Sequence, residues 1–266
     1  GGAPPDRTAR PVPIRMLTAA ETRKIGHWSD WSAISRSADG IMAAICAAER
    51  DSDCRVIVLT GEGERAFCAG GDIKAGADGG PFVQDPADPD HFAGRLFETI
   101  QACRKPTIAR INGVAMGAGA GIICACDLAV MADHARVGTP EVKVGLFPMT
   151  IVPPMMRVLP RRRLMEMFIT GVPLTAEEAL QFNLVNYVTD AAGLDDKVAE
   201  LVAQIAAQSP SAIRLGKYAC HAMEDMTYPQ QMRFAETLLP RVAQTEDARE
   251  GFDAFIEKRK PEWTGR

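Results

Sequence analysis

Two glycine-rich turns constrain this chain more than anything else in it. The first is Ala66-Phe67-Cys68-Ala69-Gly70-Gly71-Asp72-Ile73-Lys74. It reads as a short apolar strand, a tight turn at the paired glycines, and a helix start at Asp72. The second is Asn112-Gly113-Val114-Ala115-Met116-Gly117-Ala118-Gly119-Ala120-Gly121, again after a strand and before a helix. Adjacent glycines remove the Cβ atoms that keep a ligand away from the backbone. Amides at such a turn, beside a helix N-terminus, point outward and attract negative charge. The expectation is that the two turns face each other and each gives one N–H to a single oxygen that becomes negative, an oxyanion hole.

The segments around the turns set the class. Arg55-Val56-Ile57-Val58-Leu59-Thr60 is a β-branched run between Asp and Gly residues, the pattern of a strand buried on both faces. Thr107 to Ile111, Asp127 to Met131, Arg136 to Gly138 and Leu184 to Val188 read as further strands, and Val12 to Leu17 as one short edge strand. Ser37 to Arg50 reads as a helix whose apolar face is Ile41, Ala44, Ile45 and Ala48. His91 to Arg104 is a second helix, stopped by Lys105-Pro106. Thr18-Ala19-Ala20-Glu21 and Thr175-Ala176-Glu177-Glu178 are capping-box patterns, and Ser209-Pro210 is an N-cap followed by proline at the first helical position. Ala75 to Asp90 is a Gly-, Pro- and Asp-rich loop, equally readable as a lid or as a plain surface connection. From Pro153 onward the chain is nearly all helix, closing with a helix through Phe252, Phe255 and Ile256. Strands alternating with helices, followed by a helical tail, make this an α/β protein.

Composition excludes several functions. A formal net charge of −4 gives no reason to expect nucleic acid or an anionic membrane surface as a partner. The low-charge run Val114 to Met131 contains Asp127 and is rich in Gly and Ala, so it reads as a packed core helix and strand rather than a membrane span. Seven cysteines scattered through apolar segments suggest reduced thiols and a cytoplasmic setting. Cys124 and Cys126 are too close together and too isolated to form a zinc site, so no metal is expected. A dinucleotide fold is disfavoured, because the third glycine after Gly117 and Gly119 falls one residue early and no acidic residue ends a following strand at the expected distance.

In order and spacing, Val58-Leu59-Thr60-Gly61, Phe67 to Lys74, Asn112-Gly113, Gly117-Ala118-Gly119, Thr139-Pro140-Glu141 and Gly145-Leu146-Phe147-Pro148 resemble the crotonase superfamily, the enoyl-CoA hydratase/isomerase group. The Leu164-to-Gly171 segment, Ala176 to Ala179 and Phe255-Ile256-Glu257-Lys258-Arg259 are similar to it as well, so the resemblance spans roughly residues 40 to 262. It implies a spiral of ββα units over 37–195 and a C-terminal helical region over 196–266 that serves trimerisation and the CoA pocket, with 1–36 an atypical N-terminal segment. It implies assembly as homotrimers or homohexamers and a CoA thioester substrate, with coenzyme A as part of that substrate and no separate cofactor. By the same resemblance the amides of Gly71 and Ala118 hold the thioester oxygen. Ala69, Gly71, Asp72, Ile73, Lys74 and Gly117 line the substrate site, and Phe255 and Lys258 reach CoA from the C-terminal region, often of a neighbouring subunit.

The chemistry agrees with that resemblance. Taking a proton from beside a thioester, or adding water across its conjugated double bond, passes through an enolate-like state with charge on the thioester oxygen. Each preorganised donor there lowers the barrier by about 3 kcal/mol. A general acid/base completes the site, and by the resemblance Glu141 is the candidate; read alone, it is first an acidic residue complementing a helix N-terminus at the surface. Gly121 stands where many hydratases of the group carry a second glutamate, and the space left there is expected to admit a bulkier acyl group. Met149 replaces the aspartate of the dienoyl-CoA isomerases. Hydration of a 2-enoyl-CoA, double-bond isomerisation by a lone glutamate and non-catalytic acyl-CoA binding all follow from the pattern. His134 is expected in a solvent-facing turn and Arg161-Arg162-Arg163 on a solvated face.

Overall fold

The computed structural model describes residues 14–18, 31–70 and 91–266. Over residues 56–138 consecutive strands do not pair with each other; they alternate between two different sheets. The larger sheet has the order β1 (Ile14–Thr18), β2 (Val56–Thr60), β4 (Thr107–Ile111), β6 (Leu128–Ala132), β9 (Tyr187–Thr189), and every pairing in it is parallel. The smaller sheet has the order β3 (Ala66–Cys68), β5 (Val114–Met116), β7 (Arg136–Gly138), β8 (Leu174–Thr175), parallel except for the last pair. Each strand pair is followed by a helical element: α2 (Phe92–Ala102), α3 (Ala118–Ala125) or the short 3-10 helix Pro140–Val144. Every ββα unit therefore adds one strand to each sheet, which makes the architecture a spiral.

The reasons are local. All five residues of β2 are buried, as a β-branched run covered on both faces requires. α7 (Leu194–Ala206) packs across β2, β4, β6 and β9 of the larger sheet, and α1 (Trp31–Arg50) packs on α2. Asn112 is buried and ties two units together. Its Oδ1 accepts from the Gly61 N–H at 3.0 Å, and its Nδ2 donates to the Gly63 carbonyl at 2.6 Å. The capping box at Thr175 is formed in both directions, with the Glu178 N–H donating to Oγ1 at 3.1 Å and the Thr175 N–H to Oε2 at 2.9 Å. Ser209 caps α8 (Pro210–Met223) as the Ser-Pro pair implies.

The C-terminal helices are α8, α9 (Tyr228–Ala243) and α10 (Glu246–Glu257), and two carboxylates, the partly exposed Asp127 and the buried Asp247, tie α8 to the core and to α10. Asp127 accepts from the Thr107 N–H at 2.7 Å and from Lys217 Nζ at 2.6 Å, and His221 stands 3.8 Å away. Burial alone would raise its pKa, but His221, Lys217 and Thr107 together hold it below the usual carboxylate range. Asp247 accepts from the hydroxyls of Ser209 and Ser211 and from the Gly265 N–H. Those bonds outweigh burial and bring it down to about 2.

Several boundaries differ from expectation. α1 begins at Trp31, six residues before the first residue of the expected helix, and β9 occupies Tyr187–Thr189 rather than Leu184 to Val188. Leu184 and Val185 instead fold back onto α6 (Ala176–Gln181), each N–H donating to the Ala179 carbonyl. The expected edge strand is β1. The capping box at Thr18 and the loop 75–90 lie outside the described residues.

Candidate active site

Three strand ends of the smaller sheet lie side by side, because β3, β5 and β7 are parallel neighbours. β3 ends into Ala69 and Gly70, β5 into Gly117, and β7 into Thr139, Pro140 and Glu141. Parallel pairing sends all three exits the same way, so turns from distant parts of the chain emerge at one edge. The Gly117 N–H donates to the Gly138 carbonyl at 2.9 Å and locks the second exit to the third.

The glycine turns touch. Gly70 has φ +91° and Gly117 has φ +57°, both in the region that disfavours side chains. A Cβ on Gly117 would lie 3.7 Å from Gly70 Cα and 3.0 Å from Glu141 Oε1. A Cβ on Gly119 would collide with the Cys68 carbonyl at 2.6 Å, so α3 sits directly on the end of β3. Ala118 opens α3 with no side-chain cap, and the Ala120 N–H donates to the Gly117 carbonyl at 2.9 Å. The positive end of α3 thus faces the carboxyl of Glu141.

Glu141 is held by its own turn. Pro140 fixes the first helical residue, the Leu146 N–H donates to the Glu141 carbonyl at 3.0 Å, and Gly145, with φ +78°, ends the helix. The carboxyl is half-buried, and Oε2 is buried with no hydrogen-bond partner among the described residues. Burial raises its pKa above the usual 4.5, and its own backbone N–H offsets only part of that. An unpaired, partly desolvated carboxyl against a helix N-terminus has the character of a proton carrier rather than a surface charge.

The structure brings Ala69, Gly117, Ala118 and Glu141 to one edge of the smaller sheet. Gly71, Asp72, Ile73 and Lys74 lie outside the described residues. Phe255 is on α10 and 84% exposed, and Lys258 is its left-handed C-cap. The principal neighbours of α10 are α8 and α9, not α3 or the Glu141 turn. His134 is exposed, as expected. The arginine run is not uniformly solvated: Arg163 pairs with Glu166 at 2.7 Å and with Glu178, and stacks 4.9 Å over the Phe182 ring.

One expectation is overturned. The space beside Gly121 is not empty. A Cβ there would lie 2.3 Å from Phe97 Cζ, so an aromatic ring from α2 already fills it. Sequence reasoning missed Phe97; the signal was a glycine on the inner face of α3 opposite the apolar helix His91 to Arg104. Thr139 was also missed. Its Oγ1 is buried without a partner among the described residues.

The family profile described as enoyl-CoA hydratase/isomerase matches residues 34–266. A carnitinyl-CoA dehydratase of Proteus mirabilis is 37% identical over 223 residues, 81% of this chain and 84% of that protein. Another, from Salmonella arizonae, is 38% identical over 222 residues, 81% and 83% of the two chains. Among solved structures, an enoyl-CoA hydratase from Bacillus anthracis superposes with a TM-score of 0.82 at 27% identity, covering 97% of both chains. The human enoyl Coenzyme A hydratase domain-containing protein 3 gives 0.84 at 27% identity, over 96% of this chain and 98% of the other.

Proposed function

This chain belongs to the enoyl-CoA hydratase/isomerase family, the crotonase superfamily, and on that premise we propose that it adds water to a 2-enoyl-CoA, with Glu141 as the acid/base. The observation that carries the reading is the Glu141 carboxyl. It stands against Gly117 at the N-terminus of α3, partly desolvated, with one oxygen unpaired among the described residues. In the hydration, the thioester oxygen takes up negative charge opposite the amides of Gly71 and Ala118. Glu141 accepts a proton from water as its oxygen bonds to the β-carbon. The same carboxyl then returns a proton to the α-carbon as the enolate collapses. Dehydration is the reverse, and the dehydratase relatives support water chemistry.

One observation favours a second reading. Phe97 gives Gly121 an apolar neighbour, so the inner face of α3 presents no carboxyl at that position. A single glutamate suffices to move a proton between two carbons, which is double-bond isomerisation. Incubation with 2-enoyl- and 3-enoyl-CoA in heavy-oxygen water separates the two. Label in the product means hydration; a shifted double bond without label means isomerisation. Neither product, with tight acyl-CoA binding, would mean a non-catalytic binding protein.

Coenzyme A enters as part of the substrate in this reading, without metal or separate cofactor, and the protein works in the cytoplasm. Phe252, Phe255 and Ile256 form an exposed apolar stripe on α10, which supports assembly as a homotrimer or homohexamer. In that assembly Phe255 and Lys258 would serve a neighbouring subunit's CoA site.

A further inference from the structure

A cavity of about 60 Å³ lies where the C-terminal helices meet the larger sheet. Its lining comes from the residues just before β2 and β4 and from the facing ends of α7 and α8. Cys54, 3% exposed, stands on its buried side, and Arg104, with a side chain 62% exposed, on its open side. Arg55, Arg104, Lys105 and Arg214 line it, and no acid does. None of these residues belongs to the three strand ends of the candidate active site.

Arg55, Lys105 and Arg214 form no ion pair among the described residues; backbone carbonyls hold them instead. Arg55 donates to the carbonyls of Ala206 and Gln208 at 3.3 and 2.7 Å. Lys105 Nζ donates to the carbonyl of Ala48 at 2.7 Å and to that of Asp51. Arg214 donates to the Gly265 carbonyl at 3.0 Å. These bonds fix where each cation stands and leave its charge uncancelled. The neighbouring acids are already engaged, Glu49 with Arg104 and Asp247 with Ser209, Ser211 and Gly265. Burial holds Arg55 below its ordinary pKa, and Asp247 offsets only part of that. Charges removed from water are normally paired, so three unpaired cations around one cavity call for an anion.

We propose that this cavity is a binding site for a phosphate-type oxyanion, held by Arg55, Lys105 and Arg214 between the larger sheet and α8. One water needs about 10–15 Å³ of such space, so the cavity takes a group of about four to six heavy atoms, the size of a phosphate. Each guanidinium offers parallel N–H donors to adjacent oxygens. Pro210, the first residue of α8, lines the cavity and brings the positive end of that helix to its wall. The anion fastens the C-terminal helices to the core, so its binding stabilises the fold. The site is independent of the reaction proposed above.

The test is calorimetric titration with inorganic phosphate and with glycerol 3-phosphate at fixed ionic strength, beside Tm measured against the concentration of each. Saturable binding with a Kd of about 1 mM or tighter is expected, with a Tm that rises as the site fills. Inorganic phosphate binding at least as tightly as the ester supports the site with the free ion as its ligand. Tighter binding of the ester supports it with a phosphate carried on a larger molecule. Arg55→Gln and Arg214→Gln should each weaken binding at least about tenfold, the loss of one charge-assisted hydrogen bond. Arg233→Gln, at an exposed position of α9, should leave binding unchanged. If either cavity variant fails to fold by circular dichroism, the other and Lys105→Gln carry the comparison. No saturable binding by the wild type, or binding that no folded cavity variant weakens, overturns the proposal.

Discussion

Replacing Gly121 by alanine is the most direct probe of the packing beneath α3. Carbon atoms in contact sit about 3.5–4.0 Å apart, whereas the new Cβ would stand 2.3 Å from Phe97 Cζ. The helix cannot retreat to make room, because Gly119 is already pressed on the Cys68 carbonyl from the other side. The ring must move within a core that has no slack, and overpacking of this kind costs about 1–3 kcal/mol. Replacing glycine by alanine inside a helix returns about 1 kcal/mol. A clash as deep as 2.3 Å belongs to the upper part of that range, about 2–3 kcal/mol, so the net expectation is a loss of about 1–2 kcal/mol, seen as a Tm lower by roughly 2–8 °C at this chain length. Calorimetry on Gly121→Ala, Phe97→Leu and the double variant gives the coupling directly. The alanine should cost less in the Phe97→Leu background, with an interaction of at least about 0.5 kcal/mol. A Gly121→Ala protein as stable as the wild type, or strictly additive effects, would refute the contact.

The other predictions concern charge and thiols. Glu141→Gln should lower kcat by about 10²- to 10⁴-fold while acyl-CoA affinity stays nearly constant; equal turnover would reject Glu141 as the proton carrier. Because burial raises the Glu141 pKa, the folded state binds its proton more tightly than the unfolded state does. Stability from this group is therefore fully present below its ordinary pKa of 4.5 and is lost as pH rises through the folded value. Glu141→Gln should accordingly raise Tm at neutral pH and leave it unchanged below that window, while wild-type kcat/KM climbs with pH across it. Lys217→Met should cost about 1.5–3 kcal/mol, the range for a hydrogen bond to a charged group, since the Lys217 side chain is 8% exposed and its loss leaves Asp127, 24% exposed, without its closest cation; a chemical denaturation midpoint equal to wild type would contradict this. Asp127 has a lowered pKa, so its stabilisation is present above 3.8 and fades as pH falls through the folded value. Of the free cysteines, exposed Cys220 should react first with a disulfide reagent, and Cys124, buried and pushed up to about 12, only on unfolding. A fast phase that survives Cys220→Ala would contradict that assignment.

Much of the secondary structure was legible in the residues themselves. The β-branched run of β2, the capping box at Thr175 and the Ser-Pro start of α8 each specify a local conformation within a few residues, so one stretch of sequence suffices. The family resemblance rested on short motifs of the same kind, and it singled out Glu141. Which strands pair was not legible, because pairing energy belongs to residues far apart in the chain. Val56–Thr60 and Ala66–Cys68 look like two consecutive strands, yet they lie in different sheets. The meeting of Gly70, Gly117 and Glu141 depends on that division, since only parallel neighbours β3, β5 and β7 carry three distant turns to one edge. The Phe97 ring against Gly121 is of the same origin: a glycine in sequence looks like room, and only the packing of α2 on α3 decides what fills it.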